Sequence, residues 1–295
     1  MASIAARTGQ SPGKATVSRS STMIYVTTGT VLAILFLLPL VWAVLRSFMP
    51  PDEITAAPNA RAFSHLTAAN YSGLITGSIH ILRYVGNSLL VAIGTALLTA
   101  VLATLAGYGL GRTRFRFHGS NVVFALILIT LMVPFQAILT PLFLELSFLH
   151  LLDSLPGLIL FYSTFNLPFG VFVMRNSFMS APNELEEAAY CEGAKVFTTL
   201  RTVLLPLVLP GVATTMLYAF LFAWTEFLGA LTFITNINRL TLPVALLNVE
   251  TGTFGHVNYG FLVAGAVIAM VPCAVLYIAL QRFYVTGITA GGIKG

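Results

Sequence analysis

Pro182-Asn183-Glu184-Leu185-Glu186-Glu187-Ala188-Ala189-Tyr190-Cys191-Glu192-Gly193 gathers four of the ten acids of a chain that is otherwise strongly apolar. The pattern predicts a short helix. Asn183 is a capping residue type, Glu186 holds the reciprocal position of a capping box, and the acids suit the positive end of a helix dipole. Ala188 and Ala189 add helix propensity and a slim surface. Gly193 can take the left-handed conformation that ends a helix. A second helical stretch from Val196 or Phe197 is expected to stop at Leu205-Pro206, because proline cannot donate a backbone hydrogen bond. Spacing alone leaves two readings open: a small-residue knob that fits a groove on another protein, or a solvated helix lying on lipid headgroups.

The surroundings set the class. Only 8% of the 295 residues are charged and 57% are apolar, with a mean hydropathy of +0.89. Soluble domains carry about 25% charged residues, so a soluble fold of this composition could not cover its surface with polar groups. The density of Phe, Leu and Val excludes disorder. Six runs are long enough to cross about 30 Å of hydrocarbon as helices: Met23–Leu45, Val85–Leu110, Val122–Leu146, Pro156–Met174, Leu207–Leu231 and Gly260–Leu280. The expected layout is a mobile tail over 1–22, a first transmembrane helix over 23–45 and an extracytoplasmic segment over 46–84. A core of five further helices follows over 85–281, with the acidic loop at 175–206, and then a C-terminal tail over 282–295. The basic tail resembles a secretory n-region. The apolar run behind it is longer than a signal sequence needs and runs into Arg46 without a small-residue cleavage site, so an uncleaved anchor is expected.

Lys and Arg set the orientation. With the N-terminus inside, the cytoplasmic segments collect Arg7, Lys14, Arg19, Arg112, Arg114, Arg116, Arg175, Lys195, Arg201, Arg282 and Lys294, against Arg46, Arg61, Arg83 and Arg239 outside. Both termini are therefore expected in the cytoplasm. The same scatter explains the net charge of +5 without nucleic acid. Cys191 and Cys273 have no metal-ligand or redox spacing. The five His residues (His65, His80, His118, His150, His256) fall in connections. Asn70-Tyr71-Ser72 fits a glycosylation pattern by chance. Gly9 to Ala15 is one residue short of a P-loop and has Ala where the magnesium-binding hydroxyl belongs, so no nucleotide, cofactor or metal site is expected in this chain.

Glu187-Ala188-Ala189-x-x-x-Gly193, followed by Leu205-Pro206 and Pro210, resembles the EAA loop of ABC-importer permeases. Leu167-Pro168-Phe169, Arg175 and Pro182-x-Glu184-Leu185 resemble the approach to that loop in the carbohydrate branch. Ala106-Gly107-Tyr108 before Arg112-Thr113-Arg114-Phe115 does so too, as do Trp224-Thr225-Glu226-Phe227 and Gln281-Arg282-Phe283 through Thr289-Ala290-Gly291. The likeness, to MalG-type sugar permeases, covers roughly residues 23–295. Glu192 stands where Asp is usual, Thr225 where Asn is common, and the N-terminal tail is long. The resemblance implies an all-α membrane protein of the type I importer permease fold, with six transmembrane helices and a cytoplasmic coupling helix pair in a bacterial inner membrane. It also implies a second permease, two cytoplasmic subunits that bind ATP and magnesium, an external solute-binding protein and a sugar-like substrate. Glu187, Ala188, Ala189, Glu192 and Gly193 would couple to the ATPase and would not be catalytic.

Acids inside a span usually face the protein interior or a cavity. Glu226, beside Trp224 and Thr225, is the clearest; Glu145 lies near the end of the third run. Asn166, two residues before Pro168, adds an amide, and Tyr162, Ser163 and Thr164 add hydroxyls. Aromatic faces beside such groups suit a sugar, making Tyr162, Thr164, Asn166, Trp224, Thr225 and Glu226 pathway candidates. The alternative is hydrogen bonding between helices. Import of glycerol 3-phosphate or a glycerophosphodiester is weakly disfavoured by the lack of an obvious intramembrane Arg or Lys. An ion-coupled transporter would use Glu145 and Glu226. A membrane enzyme would need an acid pair, His cluster or nucleophile arrangement that the sequence lacks.

Overall fold

The structure, a computed structural model, describes residues 19–54, 65–77, 79–115, 117–252 and 257–291. All regular elements among them are helical: α1 Arg19–Ser47, α2 Pro51–Ile54, α3 Ala69–Thr76, α4 Ile81–Gly111, α5 Ser120–Ile129, α6 Phe135–Phe148, α7 Leu155–Ser180, α8 Asn183–Cys191, α9 Val196–Thr199, α10 Leu205–Thr225, α11 Leu228–Phe233, α12 Leu242–Glu250 and α13 Tyr259–Gly291. Residues 1–18 of the expected tail lie outside the described residues; α1 takes in the remainder. The C-terminal boundary at 281 is passed without a break, since α13 runs on to Gly291. No proline follows Pro272, so leaving the apolar run does not end the helix.

The N-terminal unit is essentially α1, whose Met23–Ser47 stretch is long and apolar enough to span a bilayer. Near its C-terminal end the Arg46 guanidinium lies 5.2 Å from the Trp42 ring centroid, a basic and aromatic pairing that suits a membrane interface.

In the second unit α4, α7 and α10 form the centre. Where α4 and α7 cross, their side chains are small, so the backbones approach closely. A Cβ on Gly107 would lie 2.5 Å from Met174 Cβ and 2.8 Å from the Arg175 backbone N. A Cβ on Gly170 would lie 2.9 Å from Ala103 Cβ and 3.0 Å from Thr215 Cγ2, so α10 joins the same close packing. Asn70 is buried, and its Nδ2 donates to the carbonyls of Ser47 at 2.9 Å and Met49 at 2.8 Å, fixing residues 47–49 on α3.

The third apolar run is not one helix. It splits after Met132 and restarts at Phe135, the two halves meeting at a bend of 101°. Val133 precedes proline and is extended, with φ −76 and ψ 120, the conformation that proline imposes on its neighbour. Phe135, the first residue past the bend, packs its ring 5.0 Å from Phe165, 5.3 Å from Phe161 and 5.8 Å from Phe222. Each such aromatic pair contributes about 0.5–1.5 kcal/mol beyond area burial; together they hold the corner against α7 and α10.

Pro206 is likewise not the break expected. Residues Val196–Thr225 form one continuous helix, in which Leu200–Leu204 adopt a π turn just before the proline. The wider ladder accommodates a ring that would otherwise meet the carbonyl four residues earlier. The fifth span is therefore shifted towards the N-terminus and ends at Thr225, leaving Glu226 outside the helix as its C-cap.

At the end of the bundle remote from α8, Asp153 ties two connections together. Its φ is +53, which Asp tolerates. Its carboxylate accepts from the backbone N–H of Asn236 at 2.8 Å and of Thr235 at 2.9 Å, and Arg239 Nη1 lies 3.4 Å away. The Asn236 N–H does most to hold the Asp153 carboxyl below its usual range, against the opposing effect of burial; Thr235 and Arg239 add to it.

Two outcomes follow from this packing. Gly107→Ala should destabilise the purified protein in detergent by about 1–3 kcal/mol, because backbone atoms cannot yield to the new Cβ. Gly109→Ala, with nothing within 4 Å of its Cβ, should be neutral or stabilising by up to about 1 kcal/mol; paired thermal-shift measurements distinguish them. A depressed folded-state pKa gives Asp153 a stabilising effect above its unfolded pKa of about 4, and that effect fades as pH falls through the folded value. The melting-temperature advantage of wild type over Asp153→Asn should be present at neutral pH and should vanish in strong acid.

Candidate functional site

The acidic stretch forms α8, as the propensities require, but its start is built differently from the capping box. Pro182 is the N-cap residue, with φ −56 and ψ 134 and no side-chain capping bond. Asn183 is already helical. Glu186 does not reach back to the helix start: it is buried and accepts from Arg112 Nε at 2.5 Å. Its other carboxylate oxygen accepts from Tyr108 Oη at 3.0 Å and Tyr190 Oη at 3.1 Å. A carboxylate with three donors to satisfy it, one a guanidinium, cannot also serve the backbone.

The C-terminal end matches expectation. Gly193 has φ +83. Its N–H donates to the Tyr190 carbonyl at 3.0 Å and the Ala194 N–H to the Ala189 carbonyl at 3.0 Å, the paired bonds of a Schellman ending. A Cβ there would meet nothing within 4 Å, so the backbone conformation is what requires glycine.

The two faces of α8 differ. Ala189 and Glu186 point into the bundle and are buried, whereas Glu187, Ala188, Glu192 and Gly193 are exposed. Two apolar side chains extend the exposed surface: Leu185, 43% exposed, and Phe197, 69% exposed on the following helix. The sequence offers neither as a coupling candidate, nor Arg112, which stands there among the cytoplasmic charges and in the turn that resembles the carbohydrate branch. Arg112 is almost fully buried. Its pairing with Glu186 across 74 positions leaves no local signal. Removing one partner of such a buried pair costs about 3–5 kcal/mol.

The pathway candidates divide into a buried set and an exposed pair. Trp224 is buried, and its Nε1 donates to the Ala269 carbonyl at 3.1 Å. Asn166 is buried and its Nδ2 bonds the Tyr162 carbonyl one turn back at 2.7 Å. Tyr162, fully buried, donates its hydroxyl to Glu226. Glu226 also accepts from the backbone N–H of Gly229 at 2.9 Å and of Ala230 at 3.3 Å, so it caps α11 and turns the chain. Thr164 and Thr225 are exposed, each bonding a carbonyl of its own helix. Thr164 also lines a concavity of about 490 Å³ beside the bend of the third run, where Thr130 supplies the other hydroxyl and Phe165 an aromatic wall. Glu145 is exposed on α6. Among the described residues, no group of three His, Cys, Asp or Glu side chains could hold a metal.

Known proteins resemble this chain in sequence and in fold. The family described as binding-protein-dependent transport system inner membrane component matches residues 101–289. The arabinooligosaccharides transport system permease protein AraQ of Bacillus subtilis is 30% identical over 271 residues, covering 90% of this chain and 92% of that protein. The trehalose transport system permease protein SugB of Mycobacterium tuberculosis is 32% identical over 259 residues, covering 88% and 93%. A solved bacterial ABC transporter involved in the import of the acidic polysaccharide alginate is similar in fold, with a TM-score of 0.76 at 20% identity over 92% of this chain and 100% of that one. The chain belongs to the binding-protein-dependent transport system inner membrane components, the permease subunits of ABC importers.

Proposed function

We propose that this permease carries a sugar or oligosaccharide inward across a bacterial inner membrane, with both termini in the cytoplasm. It forms half of a pore whose other half is a second permease. α8 seats in a cleft on a cytoplasmic ATPase subunit through Glu187, Ala188, Glu192 and Gly193. The observation that carries this reading is the division of α8 into a face fixed to the bundle by Glu186 and Ala189 and a free face bearing Glu187 and Ala188. A helix held on one side and bare on the other suits a coupling element better than a loose headgroup helix. Ala189 of the coupling set then serves from behind, by letting α8 lie close to the bundle.

The relatives named for arabinooligosaccharides and trehalose support a carbohydrate cargo. An external binding protein delivers it, and the ATPase subunits hold ATP and magnesium. Nucleotide can bias the pore only through a part whose position differs between the two states, and α8 is that part. Of the pathway candidates, Thr164 and Thr225 keep exposed hydroxyl-bearing surface and are our choice for the translocation route. Tyr162, Asn166, Trp224 and Glu226 act in holding the route's walls. Glu226, engaged by Tyr162 and two backbone N–H groups, is poorly placed to carry protons, which favours ATP over an ion gradient as the driving force.

The test is uptake of labelled sugar by the importer reconstituted with its partner permease, ATPase subunits and binding protein. Gly193→Pro, which cannot take a φ of +83 and loses the N–H that donates to the Tyr190 carbonyl, should lower uptake by more than about tenfold. Glu187→Ala should weaken retention of the ATPase subunits. A protonophore should leave ATP-driven uptake unchanged. Uptake that collapses with the protonophore and ignores both substitutions would overturn the reading.

A further inference from the structure

Arg112 follows directly on α4, where its backbone N–H donates to the Tyr108 carbonyl at 3.2 Å. Its side chain then reaches two other segments. Nη1 donates to the carbonyls of Phe178 and Ala181, both at 2.8 Å, at the end of α7. Nη2 donates to the Pro182 carbonyl at 3.3 Å, and Nε to Glu186 on α8 at 2.5 Å. One planar fork thus binds the end of α7, both linking residues and the first turn of α8. A lysine ammonium has no such fixed geometry.

A return tie runs from α7. Arg175 Nε donates to the Leu110 carbonyl at 3.3 Å and Nη2 to Asn121 Oδ1 at 3.2 Å, with the guanidinium 4.1 Å from the Phe124 ring centroid. Tyr108 and Tyr190 both donate to the same oxygen of Glu186, which sets their hydroxyl oxygens 3.1 Å apart. Arg114 lies 4.0 Å from the Tyr190 ring centroid.

The covalent link between α7 and α8 is only Ala181 and Pro182. Left to itself, such a link has torsional freedom at Ala181 and would let α8 swing without moving α7. Arg112 removes that freedom by holding both carbonyls. The charge-assisted bonds that do so are the stronger kind, and burial keeps water from competing for them.

We propose that Arg112, with Glu186, is a positioning residue that makes α8 and the adjoining ends of α4 and α7 one rigid body, so that displacement of α8 passes into the spans. The proposal rests on α8 being the coupling element, and it adds the path by which motion leaves that element. Arg112 is almost fully buried and acts through α8. Its role is to deny α8 independent motion.

The test uses the complete importer with Cys191 and Cys273 replaced by Ser and spin labels at Glu184→Cys on α8 and Val101→Cys on α4. Val101 lies about 16 Å along the helix from Arg112 at 1.5 Å per residue. The separation between labels should agree within about 2 Å in nucleotide-free and ATP-bound states; a shift of about 5 Å, one helical turn, would overturn the proposal. Arg112→Lys and the pair Tyr108→Phe with Tyr190→Phe are then compared for sugar taken up per ATP hydrolysed. With ATPase subunits still co-purifying, that ratio should fall at least about fivefold in Arg112→Lys and by less in the tyrosine pair. An unchanged ratio in both would also overturn it. Should Arg112→Lys fail to assemble, the label separation in the Arg112-containing complex and the tyrosine pair decide the matter. Failure of the coupling reading itself has a different signature: ATPase subunits would not co-purify even with the unsubstituted permease.

Discussion

A guanidinium and a carboxylate held 2.5 Å apart, with side chains 1% and 7% exposed, are the constraint on which the α8 end of this protein depends. Buried charge is tolerated only when it is paired and its remaining donors are satisfied. Arg112 meets that condition by using carbonyls of the C-terminal end of α7 and of the two residues that link it to α8. The same interaction therefore solves two problems: it neutralises a charge, and it satisfies backbone groups that a helix terminus exposes. Close packing of α4 on α7 at Gly107 brings Arg112 within reach of those carbonyls, so the small residues of the bundle and the ion pair beneath it form one arrangement.

From this arrangement follows a division of labour around α8. Its inner face is fixed by Glu186 and Ala189, and its outer face keeps Glu187, Ala188 and Leu185 bare. The second arm, from Val196, runs without interruption into α10 through the π turn at Leu200–Leu204. Force applied to the outer face thus meets a continuous helix on one side and a clamped corner on the other. The opposite end of the bundle is organised by charged but partly exposed contacts, Asp153 with Thr235, Asn236 and Arg239 foremost, which suit a surface in contact with water.

Much of this is legible in the sequence. A charge content of 8% demands a membrane, and Gly193 after an Ala-rich turn marks the end of α8. What misled were prolines and polar side chains, because their effect depends on partners distant in sequence. Hydropathy averages over Val133-Pro134, so a 101° corner looked like a continuous span. Pro206 looked like a stop until the π turn before it relieved the clash. Glu226 looked like a pore acid, yet it lies one residue past α10 and caps α11. Asn183 and Glu186 satisfied a local capping rule that Arg112, 74 positions from Glu186, overrides. Polar residues in spans therefore carry two meanings, structural tie or pathway lining, and only their hydrogen-bond partners separate the two. By that criterion Trp224 and Tyr162, bonded to Ala269 and Glu226, tie separate segments, whereas Asn166, Thr164 and Thr225 bond only carbonyls of their own helices, and the two threonines keep exposed surface.

The account stands on what covers the outer face of α8 in the working transporter. A density map of the complete importer in a lipid nanodisc measures this directly. It should place Leu185, Glu187 and Ala188 within a cleft of an ATPase subunit, with Glu186 still turned inward on Arg112. A map in which that face meets only lipid headgroups and solvent, while the ATPase subunits attach elsewhere, would contradict the account.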